Sequence, residues 1–181
     1  MNIAIMCSGN GSNFENLFHN LPPEDDIMVM IYNKKGCGAV ERANRLGVPD
    51  CYMDSKDELS IMEYFRELKV ELVCLCGWMR IISDELLRLY PIINVHPSLL
   101  PKYKGLNVVQ RAMDAGEEYA GATVHWVNEY LDGGEIIRQG KVKIDGTDSV
   151  ETLTEKIHIV EYKIYLEAIQ DVKQQLSINV G

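Results

Sequence analysis

Short apolar segments alternate with segments of helical composition along the first half of this chain. The apolar segments have the length and continuous hydrophobicity of buried strands, and they are Asn2–Cys7, Ile27–Tyr32, Cys51–Met53, Val70–Cys76 and Ile92–Val95. The segments between them predict helices over Phe14–Asn20, Ala39–Leu46 and Asp57–Lys69, and a further helix that begins after Ser83. Because parallel strands are joined through crossovers of this kind, the alternation predicts an α/β fold: an open, mostly parallel twisted sheet with helices on both faces.

The pattern changes after Gly105. The remaining segments predict a helix over Leu106–Ala115, strands over Ala122–Val127 and Ile136–Ile144, and a long helix over about Val150–Leu176. No repeat, linker or low-complexity segment divides the 181 residues, of which 46% are hydrophobic. A chain of this size and composition buries a core without covalent staples, which excludes a disulfide miniprotein. We therefore expect a single domain over residues 1–181.

Charge and cysteine content restrict the partners and the compartment. The chain has 27 acidic and 18 basic residues and a net charge of −9, which opposes attraction to phosphate backbones and anionic lipid surfaces. We therefore expect neither a nucleic acid nor a membrane partner. The cysteines are odd in number, form no C-x-x-C pair and follow no signal-peptide pattern, so we expect a reduced, cytoplasmic setting. They are Cys7, Cys37, Cys51, Cys74 and Cys76.

A glycine-containing loop, Gly9–Asn13, joins the first predicted strand to the first predicted helix. Glycines let a ligand approach the backbone, and the N-terminus of the following helix favours a phosphate group. Phe14 stands where a dinucleotide-binding fingerprint has a third glycine, which disfavours NAD, and the lysine of a Walker loop is absent. A tight turn with a helix cap explains the same residues equally well.

Two polar segments follow later strands. Asn94 and His96 are two residues apart at a strand end, so both side chains point to the same side of the sheet. An amide and an imidazole placed in this way can stabilise an oxyanion on an attacked carbonyl, although a histidine here can also be purely structural. Asp132 precedes two glycines, where a turn is the simpler interpretation. Beside His96, however, its carboxylate would favour the positively charged ring and accept a proton from an amine.

Five motifs in order along the chain resemble the folate-dependent formyltransferase family, and within it the phosphoribosylglycinamide formyltransferases. They are Gly9–Asn13, Gly77–Ile81, Asn94–Pro101, Gly121–His125 and Leu131–Gly134. The resemblance extends from Asn2 to about Ile169 and implies a Rossmann-like formyltransferase fold. It further implies transfer of the formyl group of 10-formyltetrahydrofolate to the amine of 5-phosphoribosylglycinamide, in the pathway to IMP, without a metal.

By matching positions, the resemblance implies roles for individual residues. Catalysis falls to Asn94, His96 and Asp132. The phosphoribosyl substrate is expected to meet Gly11, Ser12, Asn13, Pro97 and Glu161. The folate is expected to meet Met79, Arg80, Ile81, Ile82, Asn94, Val127 and Leu131. His125 matches a family histidine but stays outside the catalytic set, and the expected partners are small molecules, with a monomer or weak homodimer as the assembly.

Three departures from the family pattern leave the acceptor open. The segment between Gly47 and Val70 is short, and Lys56 is the candidate to replace an arginine that holds the folate tail in relatives. Tyr162 stands where a histidine is common and Leu166 where a proline is common. The alternatives are formyl transfer to another amine, such as an amino sugar nucleotide or methionyl-tRNA, hydrolysis of formyl-folate, and nucleotide binding without turnover.

Overall fold

The computed structural model describes residues 1–54 and 56–178 of the chain. Its strands are β1 (Asn2–Cys7), β2 (Asp26–Tyr32), β3 (Asp50–Tyr52), β4 (Leu72–Leu75), β5 (Ile92–His96), β6 (Tyr119–Trp126) and β7 (Ile136–Lys143). Its helices are α1 (Ser12–Asn20), α2 (Gly38–Leu46), α3 (Glu58–Glu67), α4 (Asp84–Leu89), α5 (Val108–Asp114) and α6 (Val150–Ile178). Within the described residues, no helix is both long enough and apolar enough to cross a membrane.

The strands form one sheet in the order β3-β2-β1-β4-β5-β6-β7. β1 pairs in parallel with β2 and β4, β2 pairs in parallel with β3, and β4 pairs in parallel with β5. β6 and β7 are antiparallel, with Tyr119 opposite Lys143 at one end and His125 opposite Ile136 at the other. The predicted α/β fold with a mostly parallel sheet is confirmed.

By its internal contacts the chain divides into two compact units, the first from Met1 to Asn94 and the second beginning at Val95. The expectation of a single domain over residues 1–181 stays a prediction. In the first unit β1 is the core strand, because Ile3 to Cys7 are fully buried. Apolar residues of α1 and α3, among them Phe14 and Phe65, are also fully buried in this unit.

The second unit is built around the β6–β7 pair and the long helix α6, which packs against both strands. The buried residues of α6 recur every three or four positions, which is the spacing of one helix face, as in Leu153, Ile157, Glu161, Ile164, Ala168 and Val172. The backbone of β7 approaches this helix closely at Gly140, where an added Cβ would lie 2.5 Å from a methyl carbon of Val160. Glycine at position 140 therefore sets the distance between strand and helix.

Element boundaries differ from the predictions at several ends. β4 begins at Leu72 because the amide of Val70 donates to the carbonyl of Phe65 and completes the end of α3, instead of joining the sheet. β6 begins at Tyr119, three residues before its predicted start, because the antiparallel pairing with β7 continues to Lys143. α2 ends where predicted, at Leu46, and Gly47 caps it with φ 71° and an amide that donates to carbonyls of the last turn.

Candidate active site

The carboxyl ends of β1 and β4 are neighbours at the point where the strand order reverses, and such switch points are the usual ligand sites of open α/β sheets. The loop after β1 and the loop after β4 are hydrogen bonded here. The Ser8 amide donates to the carbonyl of Gly77 at 3.1 Å, and the Met79 amide donates to Ser8 Oγ at 3.0 Å. Ser8 Oγ in turn donates to Asn33 Oδ1 at 2.7 Å. One buried hydroxyl therefore holds the two loops together.

The start of α1 depends on Gly11. This residue adopts φ 78°, which L-amino acids with side chains rarely adopt, and the helix begins at the next residue. An added Cβ would also lie 2.9 Å from the Cβ of Ala39 in α2. Glycine is thus required for both backbone conformation and space. The amides at the start of α1, where Ser12 and Asn13 lie, form the predicted phosphate site.

Charges around this loop suit an anion. Glu15 lies in the first turn of α1, where a carboxylate alone would repel a bound phosphate. Two arginines of α2, Arg42 and Arg45, form ion pairs with Glu15. Arg42 Nε also donates to the carbonyl of Asn10 at 2.8 Å, which fixes the loop. The acidic residue is therefore neutralised while the helix N-terminus keeps its positive potential.

The thiol of Cys7, next to the Gly9–Asn13 loop, is not a candidate nucleophile. Cys7 ends β1, and burial raises the pKa of its thiol to about 11. Its Sγ donates to the carbonyl of Cys76 at 2.9 Å. Cys74 and Cys76 are also buried. Since the thiolate is the reactive form, the raised pKa makes Cys7 a poor nucleophile.

Met79, Arg80, Ile81 and Ile82, the predicted folate segment, follow β4. Met79 and Ile81 are 59% and 73% exposed, which is unusual for large apolar side chains so close together. Ile82 is buried, and with Ile81 it borders a cavity of about 510 Å³. Lys56 lies on the wall of the same cavity, together with the acidic residues Asp57, Glu58 and Glu85.

His96 is the last residue of β5, and both of its ring nitrogens face acceptors. Its Nε2 lies 2.9 Å from the carbonyl oxygen of Tyr103, so this nitrogen carries a hydrogen and donates it. Its Nδ1 lies 3.6 Å from Asp132 Oδ2, with both side chains only 8% exposed. That distance is too long for a hydrogen bond, but it allows a strong electrostatic interaction between the two buried side chains. Nδ1 therefore faces the carboxylate without a hydrogen bond to it.

Asp132 is held by its own loop. Its backbone adopts φ 47°, and its Oδ2 accepts a hydrogen bond from the amide of Gly105 at 2.9 Å. At Gly134 an added Cβ would overlap the carbonyl of Trp126, so only glycine lets the chain turn here. The glycine pair that favoured a plain turn at the sequence level thus also holds the carboxylate beside His96.

A second imidazole borders the same carboxylate. His125 Nε2 lies 3.9 Å from Asp132 Oδ1, and His125 Nδ1 donates to the carbonyl of Trp126 at 2.8 Å. Burial lowers the pKa of His125, against the opposing effects of the Trp126 carbonyl and Asp132. His125 is therefore a neutral ring beside the carboxylate at neutral pH.

Thr123 holds the loop that follows His96. Its buried hydroxyl donates to the carbonyl of Ser98 at 2.7 Å and accepts the amide of Leu100 at 3.1 Å. It also accepts Nε2 of Gln139 at 2.9 Å, and Gln139 Nε2 reaches the carbonyl of Leu100 at 2.8 Å. All the hydrogen-bonding capacity of this hydroxyl is used, so the loop is fixed to β6 and β7.

The other predicted residues lie in less distinctive surroundings. Asn94 is half-buried on β5, Pro97 is half-buried after His96, and Val127 is half-buried, whereas Leu131 is exposed. Glu161 is buried on α6, with its Oε2 4.0 Å from His158 Nε2. Several groups that hold the site were not predicted. The Tyr103 carbonyl and the Gly105 amide are backbone groups, which leave no sequence signal. The side chains of Thr123 and Gln139 act on a loop that is distant in the sequence.

Fold and site together define an α/β enzyme with an acid–imidazole pair at a strand end. A formyl transferase family profile matches residues 1–169, and the chain therefore belongs to the formyl transferase family. It is 39% identical to the phosphoribosylglycinamide formyltransferase of Bacillus subtilis (strain 168), over 97% of this chain and 95% of that protein. It is 37% identical to the trifunctional purine biosynthetic protein adenosine-3 of Drosophila pseudoobscura pseudoobscura, over 92% of this chain and 13% of that protein.

Solved structures show the same relationship. The phosphoribosylglycinamide formyltransferase of Anaplasma phagocytophilum superposes with a TM-score of 0.89 at 34% identity, over 96% of this chain and 87% of that one. The Bacillus halodurans enzyme of that name superposes with a TM-score of 0.87 at 34% identity, over 95% of both chains. The predictions of an enzyme of the formyltransferase family, with a formyl donor and small-molecule substrates, are confirmed at that level.

Proposed function

We propose that this chain transfers the formyl group of 10-formyltetrahydrofolate to the amine of 5-phosphoribosylglycinamide, a step of purine (IMP) biosynthesis. The observation that carries the proposal is the buried pair of His96 and Asp132, with 3.6 Å between Nδ1 and Oδ2. Two relatives are phosphoribosylglycinamide formyltransferases, which supports this choice of acceptor over the alternatives of an amino sugar nucleotide, methionyl-tRNA or water.

The phosphate of the acceptor would bind the amides that open α1. Gly11, Ser12 and Asn13 supply these amides, and the positive end of the helix attracts the anion. The pairing of Glu15 with two arginines removes the nearest opposing charge. Pro97 and the buried carboxylate of Glu161 are proposed to contact the rest of the acceptor, with Glu161 accepting from ribose hydroxyls.

The reaction begins with attack of the neutral amine on the formyl carbon, which turns the carbonyl oxygen into an oxyanion. We assign the Asn94 amide and Nδ1–H of His96 as its hydrogen-bond donors. Nε2 is occupied by the Tyr103 carbonyl, and Nδ1 is too far from Asp132 for a hydrogen bond, so Nδ1–H is left to meet the oxyanion. Such a hydrogen-bond donor raises kcat by a factor of roughly 10² to 10³.

Asp132 completes the proton balance. Its negative charge stabilises the positively charged ring of His96 while the oxyanion exists. It also accepts, through a water molecule, the proton that the attacking nitrogen loses. The oxyanion then collapses to the new formamide carbonyl as the bond between the formyl carbon and N10 breaks. N10 leaves with the electron pair and takes up the proton that Asp132 accepted, which restores the carboxylate. The net change is one formamide exchanged for another.

The folate is proposed to contact the segment after β4 and residues of the loop before Asp132. Met79 and Ile81 offer exposed apolar surface for the flat pterin and benzoyl groups, and Arg80, Ile82, Asn94, Val127 and Leu131 complete the predicted set. Lys56 shares a cavity wall with Ile81 and is proposed to pair with a carboxylate of the folate tail.

An acceptor panel tests the proposal. The protein is incubated with 10-formyltetrahydrofolate and, separately, with phosphoribosylglycinamide, a nucleotide amino sugar, methionyl-tRNA or no acceptor, and release of tetrahydrofolate is followed. We expect turnover with phosphoribosylglycinamide at least about 10²-fold above the others, since the acceptor's phosphate and amine are both needed for orientation. Turnover without any acceptor would identify a hydrolase. Binding without turnover would identify a nucleotide-binding module, and either result would refute the proposal.

A monomer or weak homodimer in the cytoplasm remains our expectation for the state in which this reaction occurs. Sedimentation at several protein concentrations tests the assembly, and fractionation of the source cells tests the compartment.

A further inference from the structure

The carbonyl that occupies His96 Nε2 belongs to a residue with an unusual backbone. Tyr103 adopts φ 55°, in the left-handed region that residues with side chains avoid. Asp132, the other partner of His96, adopts φ 47°. Both groups that orient the imidazole therefore come from strained positions, which persist only where the surroundings hold them.

The side chain of Tyr103 has two partners outside the site. Its hydroxyl donates to Glu117 Oε1 at 2.8 Å, and its ring lies 5.4 Å from the guanidinium carbon of Arg111. Lys102 Nζ contacts the same Glu117 carboxylate at 2.8 and 3.1 Å. The hydrogen bonds from Lys102 and Tyr103 hold the pKa of Glu117 below its ordinary value. Glu117 is therefore ionised at neutral pH and is a strong acceptor for the phenol.

Polar contacts rather than close packing hold the loop after His96. Thr123 fixes Ser98 and Leu100, and Ser98 Oγ donates to the Lys102 carbonyl at 2.7 Å. A cavity of about 500 Å³ borders the segment from Pro97 to Tyr103, so fewer atoms resist a movement there when a polar contact is lost. None of these hydrogen bonds holds the Tyr103 carbonyl itself, and its position therefore depends also on where the phenol is fastened.

We propose that Glu117 is a positioning residue for the formyl transfer: by holding the Tyr103 phenol, it keeps the Tyr103 carbonyl on His96 Nε2. The proposal rests on the proposed function of His96. Through this chain of contacts Glu117 determines which ring nitrogen is occupied and which is left to meet the oxyanion. Glu117 touches no reacting atom in this scheme and acts through Tyr103.

The competing hypothesis is that Glu117 only forms a stabilising ion pair with Lys102, and it predicts different results. Loss of an exposed ion pair costs little and would not change the catalytic step. Glu117→Gln separates the ion pair with Lys102 from the hydrogen bond with Tyr103. The glutamine amide oxygen still accepts the phenol hydrogen bond, whereas the negative charge is gone.

The kinetic test uses Glu117→Ala, Tyr103→Phe and the double variant. We expect each to lower kcat by about 10-fold with both KM values within about twofold, since a displaced donor acts on the transition state. The kcat of the double variant should be no lower than that of either single variant, because all three variants remove the same hydrogen bond. Glu117→Gln should recover most of the rate. Glu118→Ala, which removes the neighbouring exposed acidic side chain on the same cavity wall, should keep the wild-type kcat.

An independent readout requires no turnover. The Nε2–H proton of His96, identified by its absence in His96→Ala, should be visible by NMR in the wild type and in Glu118→Ala. It should be lost to exchange in Glu117→Ala and Tyr103→Phe. Any of three results would overturn the proposal. They are an unchanged His96 signal in these two variants, losses of kcat that multiply in the double variant, and a kcat in Glu117→Gln that stays as low as in Glu117→Ala. If no acceptor is formylated by the wild type, the proposed function fails while the NMR result still decides the contact.

Discussion

The loop from Ser8 to Asn13, which is proposed to bind phosphate, and the region around His96 use backbone and side chains in opposite ways. In the loop from Ser8 to Asn13, the groups assigned to the ligand are backbone amides, and side chains such as Ser8 and Arg42 hold that backbone. Around His96 the assigned groups are side chains, and backbone groups of Tyr103 and Gly105 hold them.

This difference determines which substitutions each region tolerates. Where the backbone binds, residue identity matters chiefly through backbone conformation and space, so glycine positions are the sensitive ones. Where side chains react, the reacting groups themselves are sensitive, and their holders matter through position alone. The following experiments test this contrast, beginning with the largest expected effect.

His96→Ala removes a reacting side chain. We expect kcat to fall by roughly 10² to 10⁴-fold with modest change in ligand affinity, because the hydrogen-bond donor to the oxyanion and the positive charge of the ring are lost together. Steady-state kinetics and calorimetric binding measure the two quantities. His19→Ala, an exposed histidine of α1, is the control. Unchanged turnover in His96→Ala would refute the role assigned to this ring.

Gly11→Ala tests the backbone region. The added Cβ meets Ala39 and the left-handed φ is strained, so the start of α1 must shift. We expect KM for the phosphorylated acceptor to rise by about 10- to 100-fold while kcat changes much less, since the lost contact binds ground and transition states alike.

Gly47→Ala is the matched control for Gly11→Ala. Gly47 has a similar φ of 71° but nothing within 4 Å of an added Cβ, so it carries the strain without the clash. We expect lower stability by about 1 kcal/mol and an unchanged KM. Equal KM values in the two variants would show that the loop does not bind the acceptor.

Ser8→Ala removes a side chain that binds the backbone amide of Met79. The Met79 amide and Asn33 lose their shared partner, so the free energy of unfolding should fall by about 1 to 3 kcal/mol. KM for the folate should rise only a few-fold, because Met79 shifts without being lost. Urea denaturation and steady-state kinetics measure both, with Ser177→Ala at the exposed end of α6 as the control. A loss of kcat as large as that of His96→Ala would contradict the contrast.

The smallest effect concerns His125, whose pKa is lowered by burial. Below the ordinary histidine pKa, about 6.5, the unfolded chain takes up a proton that the folded ring resists, so folding is weakened as pH falls. We therefore expect the free energy of unfolding to decrease between pH 7.5 and 5.5 less steeply in His125→Gln than in the wild type. Equal slopes in the two proteins would contradict this assignment.

Residue types and spacings predicted the sheet and several side chains placed at its strand ends. His96 is the last residue of β5, and Gly47 closes α2, because each position follows from local rules. The contacts that hold His96 were not predictable, since the Tyr103 carbonyl depends on a strained φ and on Glu117, fourteen positions further along. The start of β6 was missed because its pairing partner, Lys143, lies at the far end of β7.

The contact between Gly11 and Ala39 also limits how this protein can diverge. Gly11 directly precedes α1 and Ala39 lies in α2, yet the space that Gly11 leaves empty is the space that the Ala39 side chain occupies. A descendant that enlarges residue 39 therefore loses room at the helix start even if position 11 remains glycine. Any lineage that keeps this loop is expected to keep a small residue at position 39, although residue 39 itself bears no reactive group.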